Sequence, residues 1–215
     1  HLGGAAHVRV KWFGPVQDTG MLARLPEAAR VHVQVANLRA HGITDYGELG
    51  GVTGGMQVFC GGARMTLARW PNEGWARARS ATTVGLDDAT AEQLSRDGKL
   101  GKVLAFEYDG TPPRPWQDLA RTWIRGIWQQ EYVYDGWHPE AIDFEAETLT
   151  MAFNAYPHMW TWRRFYVANA IEELDQPGEY WMDRQEGLLY LWPPEDNDGP
   201  VLVSVTGAPL VVLSK

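Results

Sequence analysis

Short runs of alternating apolar and polar residues, separated by glycine, proline, asparagine and aspartate, constrain the fold of this chain more than any other feature. In residues 56–70, the runs MQVFC and ARMTLARW flank Gly61 and Gly62. Glycine accepts the positive φ angles of a tight two-residue turn, so this segment predicts a β-hairpin. Further strand-like runs occupy residues 7–13, 31–38, 75–84, 102–110, 122–137, 141–153, 164–174, 178–194 and 201–213.

Two of these runs allow more specific predictions. In residues 31–38, the alternation places Val31, Val33 and Val35 on one face of a strand. The aromatic runs 122–137 and 141–153 are predicted to pair with each other.

Helical signals are few and short. A helix of two turns, broken near Pro26, is predicted in residues 18–31, and a second helix follows Asp87 and ends at Gly98. Many short strands spaced about ten residues apart indicate an all-β fold, namely an antiparallel β-sandwich-like domain with a few short helices. No internal repeat or low-complexity linker divides the sequence, so residues 1–215 are interpreted as a single β-rich domain.

The charge of the chain limits its partners. The net charge is -8, and the arginine pairs Arg77/Arg79 and Arg163/Arg164 are too short for an electrostatic footprint on phosphate. We therefore expect no binding to nucleic acid, and no apolar run reaches the roughly 20 residues of a membrane span. Cys60 is the single cysteine, and the six histidines lack ligand spacing, so neither a metal site nor a cofactor is predicted.

Tryptophan is unusually frequent, with eleven residues in the chain. Large indoles fill protein cores and also pack against sugar rings, so both uses stay open. In residues 156–166, two of them lie two positions apart and would share one face of a strand. The candidate carbohydrate-binding residues are Trp70, Trp75, Trp128, Trp137, Trp160 and Trp162.

Carboxylates are the remaining candidates for catalytic residues, because the sequence contains no nucleophile elbow, P-loop or dinucleotide-binding fingerprint. Glycoside hydrolysis uses two carboxyl groups on either side of the scissile bond. Acidic residues cluster in residues 171–183, and Glu173, Asp175 and Asp183 are the catalytic candidates. Acidic side chains around a hairpin are also common as plain solvated groups, so this alternative stays open.

Several segments together carry a family resemblance. They are MTLARWPNEGW (65–75), RFYVANAIEELDQPGEYWMDRQEGLLYLWPP (164–194), VLVSVTGAPLVVL (201–213) and PEAARVHVQVANLRAHGITDYGEL (26–49). These segments resemble the β-rich insertion domain of bacterial right-handed parallel β-helix proteins such as glycoside hydrolase family 141, which has α-L-fucosidase and xylanase activities.

The resemblance implies a domain that interrupts the early turns of a β-helix in a polysaccharide-degrading protein. It implies that the catalytic acids lie on the β-helix coils, outside this chain, and that a β-helix domain of the parent protein is a partner. The resemblance also implies a secreted or periplasmic location, although no signal peptide is visible in this chain.

Three functions are compatible with these observations. The first is an accessory domain that binds plant-type glycan through exposed tryptophans. The second is a stand-alone glycoside hydrolase with a carboxylate pair, and the third is a structural cap without a ligand. The resemblance favours the first and third, and the excess of tryptophan favours the first. We therefore expect a polysaccharide or oligosaccharide as partner, with neither nucleic acid nor membrane.

Overall fold

The computed structural model describes residues 6–47, 49, 55–83, 102–110, 115–128, 134–153, 164–196 and 199–205. Strands in largely antiparallel sheets dominate these residues, which confirms the predicted all-β, sandwich-like class. The chain divides into two compact units: unit 1 comprises His1–Ala68 and Ile171–Lys215, and unit 2 comprises Arg69–Ala170. The interpretation of the chain as one domain stays a prediction.

The elements are numbered in chain order. The strands are β1 (Ala6–Val10), β2 (Gly14–Pro15), β3 (Gln34–Asn37), β4 (Val58–Cys60), β5 (Ala63–Arg64), β6 (Thr66–Leu67), β7 (Arg69–Trp70), β8 (Ala76–Thr83), β9 (Lys102–Tyr108), β10 (Trp123–Ile127), β11 (Tyr134–Trp137), β12 (Pro139–Asp143), β13 (Thr148–Phe153), β14 (Arg164–Ala168), β15 (Glu179–Asp183), β16 (Leu188–Leu191) and β17 (Val201–Val205). The helix α1 spans Thr19–Arg24, and 3₁₀ turns span Glu27–Ala29, Arg39–His41 and Ile171–Glu173.

Unit 1 contains two sheets whose facing sides form one core. Sheet A has the strand order β1-β17-β4-β5, and sheet B has the order β2-β3-β16-β15-β6. All their pairs are antiparallel except β15 with β6, which is parallel. The shared core includes Val10, Val58 and Val203 from sheet A and Ala36, Met182 and Leu189 from sheet B. These contacts make unit 1 a β-sandwich.

Sheet B is buried on its other face as well. Successive strand residues point to opposite faces, so Tyr180 and Met182 enter the sandwich core while Trp181 enters a second cluster. There Trp181 packs with Tyr190, and the same cluster holds Leu25 and the residues around Ile171–Glu173. Helix α1 and the 3₁₀ turns Glu27–Ala29 and Ile171–Glu173 therefore form a third layer over sheet B.

Unit 2 is built on one eight-stranded sheet with the order β11-β10-β14-β8-β9-β13-β12, and β7 pairs with β14. The sheet curves so that β11 contacts β13. Its inner face holds an aromatic core in which Phe106 and Phe165 meet edge to face at 5.3 Å. The other large rings of this core belong to Trp70, Tyr108, Trp116 and Trp128.

Local turn chemistry was predicted correctly. Strands β4 and β5 pair across Gly61 and Gly62, whose φ angles of 54° and 87° confirm the two-residue hairpin. Helix α1 begins after Asp18, whose side chain accepts a hydrogen bond from the Met21 N–H, and it ends before Pro26. This confirms the short helix in residues 18–31, while the helix predicted after Asp87 lies outside the described residues.

Two predictions about strands were wrong. Val31 is 84% exposed whereas Val33 is 2% exposed, because the chain is still turning at Val31 and β3 begins only at Gln34. The runs 122–137 and 141–153 each contribute a separate pair, β10 with β11 and β12 with β13. Asp143 reverses the second run by accepting hydrogen bonds from the N–H groups of Glu145 and Ala146.

Candidate functional site

The outer face of the unit 2 sheet carries a cluster of aromatic and arginine side chains. Strand alternation produces it: Phe165 and Val167 enter the core, so Arg164 and Tyr166 occupy the opposite face of β14. The strand register then sets Arg125 opposite Tyr166 and Arg77 opposite Arg164. We call this surface the aromatic–arginine face; it comprises Arg69, Trp75, Arg77, Arg125, Tyr134, Arg164 and Tyr166.

Trp75 lies at the accessible part of this face, with 38% of its surface exposed. Its ring meets Tyr166 edge to face at a centroid distance of 5.4 Å, and it meets Tyr134 in the same manner at 6.3 Å. The hydroxyls of Tyr134 and Tyr166 are hydrogen-bonded to each other. The two tyrosines therefore orient the indole while part of its surface stays open to solvent.

Arginine guanidinium groups lie over the aromatic rings. The Arg69 guanidinium is 4.0 Å from the Tyr166 ring centroid, and its Nε–H donates to the Pro71 carbonyl at 2.9 Å. Arg125 is 5% exposed and lies 4.7 Å from the Tyr134 ring, while Arg164 lies 5.8 Å from the Trp75 ring. These are cation–π distances, so positive charge accompanies each ring of the face.

The Tyr134 hydroxyl of the face is neutral at physiological pH. Burial, and then the hydrogen bond with Tyr166, raise the pKa of Tyr134 well above its ordinary value. A neutral hydroxyl can both donate and accept a hydrogen bond. The face thus offers an apolar ring, hydroxyl groups and guanidinium donors, which suit the binding of a polar ring-shaped ligand.

The predicted tryptophans have different positions. Trp70 is 8% exposed and Trp128 is 1% exposed, so both side chains contribute to the core of unit 2. Trp137 is half-buried and packs against Trp128 at 6.1 Å. Trp160 and Trp162 lie outside the described residues. Of the predicted set, Trp75 is the one that the described structure brings to an open surface with aromatic neighbours.

Sequence reasoning missed the partners of Trp75. Tyr134 and Tyr166 are far apart in sequence and meet only through the pairing of β14 with β10 and β10 with β11. A signal was nevertheless present, because Arg164 and Tyr166 alternate with the apolar residues Phe165 and Val167. That pattern indicates a polar–aromatic face opposite a core face.

The predicted catalytic acids lie in unit 1, around the β15–β16 hairpin. Glu173 is 0% exposed, so its carboxyl group is closed to a substrate in this structure. Asp183 is 7% exposed and accepts hydrogen bonds from the N–H groups of Gln185 and Glu186, which makes it a turn residue. Asp175 is half-buried, and its N–H donates to Glu179. Their catalytic roles stay predictions.

Buried acids surround this hairpin. Glu179 is 0% exposed, and burial raises its pKa to about 8, although hydrogen bonds from the Asp175 N–H and the Gln176 side chain act in the opposite direction. Glu172 is 2% exposed and forms an ion pair with Arg24, with an Nε to Oε1 distance of 2.8 Å. This arrangement serves the packing of the third layer in unit 1.

Within the described ranges, no group of three or more His, Cys, Asp and Glu side chains is placed to hold a metal ion. Among the same residues, no helix has the length and apolar character needed to cross a membrane.

Comparison with known proteins gives one structural match. No protein-family model matches the chain, and no curated protein matches it. A solved structure described as a glycoside hydrolase aligns with a TM-score of 0.57 at 13% sequence identity. The chain has a glycoside-hydrolase-like fold. The alignment covers 94% of this chain and 31% of that chain, so the chain spans less than a third of the length of that glycoside hydrolase. At this identity the likeness concerns the fold alone.

Proposed function

We propose that this chain is an accessory carbohydrate-associated domain of a polysaccharide-degrading protein, and that it binds glycan at the aromatic–arginine face. The observation that carries the proposal is Trp75, a 38% exposed indole in edge-to-face contact with the hydrogen-bonded Tyr134 and Tyr166. Exposed large aromatics in an ordered polar setting are typical of recognition surfaces.

The chemistry of a sugar matches this surface in two ways. A pyranose ring presents C–H groups on its faces, and these pack against an indole ring without leaving polar groups buried. Its hydroxyls lie around the rim, where tyrosine hydroxyls and arginine N–H groups provide donors and acceptors. The half-buried Tyr134 and Tyr166 give the face rigidity, which limits the entropy lost on binding.

The finer proposal is that the parent protein is a secreted or periplasmic β-helix enzyme related to glycoside hydrolase family 141, with this chain as its insertion domain. The fold likeness to a part of a longer glycoside hydrolase supports it. The burial of Glu172, Glu173 and Glu179 supports the placement of the catalytic acids outside this chain. Under this proposal the parent β-helix is the physical partner of the chain.

The substitution Trp75→Ala tests the binding site. We expect it to weaken glycan binding by about 2 kcal/mol, or roughly thirtyfold in Kd, as for removal of an aromatic anchor. Binding is measured by isothermal titration calorimetry with soluble xylan, β-glucan and fucosylated oligosaccharides, and by pull-down with insoluble cellulose.

A matched control is Trp12→Ala, because Trp12 is a 76% exposed tryptophan of unit 1. It should leave binding unchanged. If the wild-type chain binds none of these glycans, the carbohydrate role is wrong and a structural cap is indicated. If Trp12→Ala abolishes binding and Trp75→Ala does not, the site lies in unit 1.

A further inference from the structure

We propose that Arg69 is the positioning residue of the glycan site: it links the turn at residues 71–74 to Tyr166 and so fixes the Trp75 indole in the orientation that meets a sugar ring. This inference rests on the proposed glycan-binding role of the aromatic–arginine face and names the residue that preorganises it. It follows from the way the chain leaves the edge of β14 and returns to it.

Tyr166 lies at the level where two short strand pairings are interrupted. Strand β7 pairs with Val167 and Ala168, and β8 resumes the pairing at Phe165. Strand β10 pairs with β14 along the whole of its other edge, so β7 and β8 share one edge of β14. Residues 71–75 connect the two pairings, and the chain therefore leaves the sheet edge beside Tyr166.

The half-buried Arg69 contacts both ends of the turn. Its Nε–H donates to the Pro71 carbonyl at 2.9 Å, and its Nη2 donates to the Gly74 carbonyl. Gly74 has a φ of 67°, a left-handed conformation that glycine accepts without strain. The planar guanidinium has several N–H donors in a fixed arrangement, so one side chain joins the first and last residues of the turn.

The same guanidinium contacts the aromatic rings of the site. Its carbon atom lies 4.0 Å from the centroid of the Tyr166 ring, which is a close cation–π distance. The Trp75 ring meets the same tyrosine ring edge to face at 5.4 Å. Trp75 directly follows Gly74, so the Arg69 bond to the Gly74 carbonyl restrains the backbone from which the indole projects.

This restraint has a consequence for binding. Each side chain that a ligand must immobilise lowers the affinity of the complex. The contacts of Arg69 order the turn and the Trp75 indole before a glycan arrives. Without them the indole is still present, but part of the binding free energy is lost in ordering it. Arg69 therefore acts on the glycan through Trp75.

The first measurement detects the position of Trp75 without a ligand. The chain is labelled with fluorotryptophan, and the Trp75 resonance in the fluorine NMR spectrum is identified by its loss in Trp75→Phe. In Arg69→Gln we expect this resonance to broaden or to move toward the shift of free fluorotryptophan in water. Arg79→Gln is the matched control, because it removes an arginine of β8 that pairs with Asp109 and Glu147. It should leave the Trp75 resonance unchanged.

The second measurement is isothermal titration calorimetry with soluble xylan and β-glucan. Arg69→Gln should weaken the binding shown by wild type about tenfold, because the side chain and turn must then be ordered on binding. Arg69→Lys should weaken it about threefold, because lysine keeps the charge and loses the planar fork. These ratios should be the same at low and high salt, since the role does not depend on charge. Thermal unfolding verifies the fold, and Arg69→Lys carries both measurements if Arg69→Gln fails to fold.

A double variant separates positioning from direct contact with the glycan. In a Trp75→Ala chain, the further change Arg69→Gln should alter binding by less than about twofold, because the indole through which Arg69 acts is gone. An equal loss with and without Trp75 would overturn the positioning role, and so would a Trp75 resonance that is identical in wild type and Arg69→Gln. Failure of wild type to bind any glycan would overturn the proposed function instead, and the fluorine spectrum would still decide whether Arg69 orients the indole.

Discussion

Sheet B of unit 1 and the sheet of unit 2 use tryptophan and tyrosine in opposite ways. In sheet B, Trp181 and Tyr190 point to one face and Tyr180 to the other, and both faces are covered. In unit 2, Phe165 points inward while Tyr166, its neighbour on β14, joins Trp75 on a partly open face. The same residue types thus form a core where a second layer is present and a surface where one is absent.

This difference shows that the number of aromatic residues is a poor guide to recognition, and that the layer over each sheet decides their use. The acids follow the same rule, since Glu172, Glu173 and Glu179 are buried in unit 1 under its third layer. A carbohydrate site on this chain is therefore expected on the face that lacks a covering layer within the described residues.

The largest expected effect comes from removing an indole of the doubly covered sheet. Trp181 is 1% exposed, and Trp181→Ala should lower the free energy of unfolding by about 4 kcal/mol, the usual cost of a large cavity. Trp75→Ala should lower it by about 1 kcal/mol or less, because its ring is already partly solvated. Urea denaturation followed by circular dichroism measures both values. Similar losses for the two variants would remove the distinction between the two sheets.

A second test concerns the Arg24–Glu172 ion pair in the third layer of unit 1. Arg24→Met removes the partner of Glu172, which is 2% exposed, and should cost about 3 kcal/mol of unfolding free energy. Arg79→Met is the matched control in unit 2, where the side chains of the Arg79–Asp109 pair are 39% and 46% exposed. That change should cost less than about 1 kcal/mol. A smaller loss for Arg24→Met than for Arg79→Met would contradict the burial of the third layer.

A third test concerns a pH dependence that belongs to unit 1. The pKa of Glu179 is raised from 4.5 to about 8 in the folded chain, chiefly by burial. The folded state then holds a proton that the unfolded state has lost, so the contribution of Glu179 to stability is greatest below pH 4.5 and falls as the pH rises toward 8. The slope from this group is at most about 1.4 kcal/mol per pH unit. In the Glu179→Gln variant, the urea midpoint of unfolding should depend less on pH across this range. A slope that persists in that variant would assign the effect to other groups.

Local signals in the sequence predicted the local structure. Gly61 and Gly62 identified the β4–β5 hairpin, because turn chemistry acts over a few residues. Pairings such as β6 with β15 could not be predicted, because the two strands lie far apart in sequence and neither sequence indicates its partner.

The candidate site was harder to predict for a related reason. Trp70 and Trp75 are close in sequence and have the same chemistry, yet one is 8% exposed and the other 38% exposed. Which of them is covered depends on how β7 and β8 pair with β14. The alternation of residues along one strand does not show which of its two faces will be buried. For the same reason, the sequence around Glu173 does not show that this side chain is buried.

The strand order of sheet A also has a consequence for the synthesis of the protein. Strand β17 lies between β1 and β4 and pairs with both, so β1 has no described neighbour in that sheet until Val201–Val205 are present. The whole of Arg69–Ala170 leaves the ribosome before that strand. A chain interrupted shortly before β17 therefore contains all of unit 2 but exposes the apolar side of an unfinished sandwich, which marks it for removal by cellular quality control.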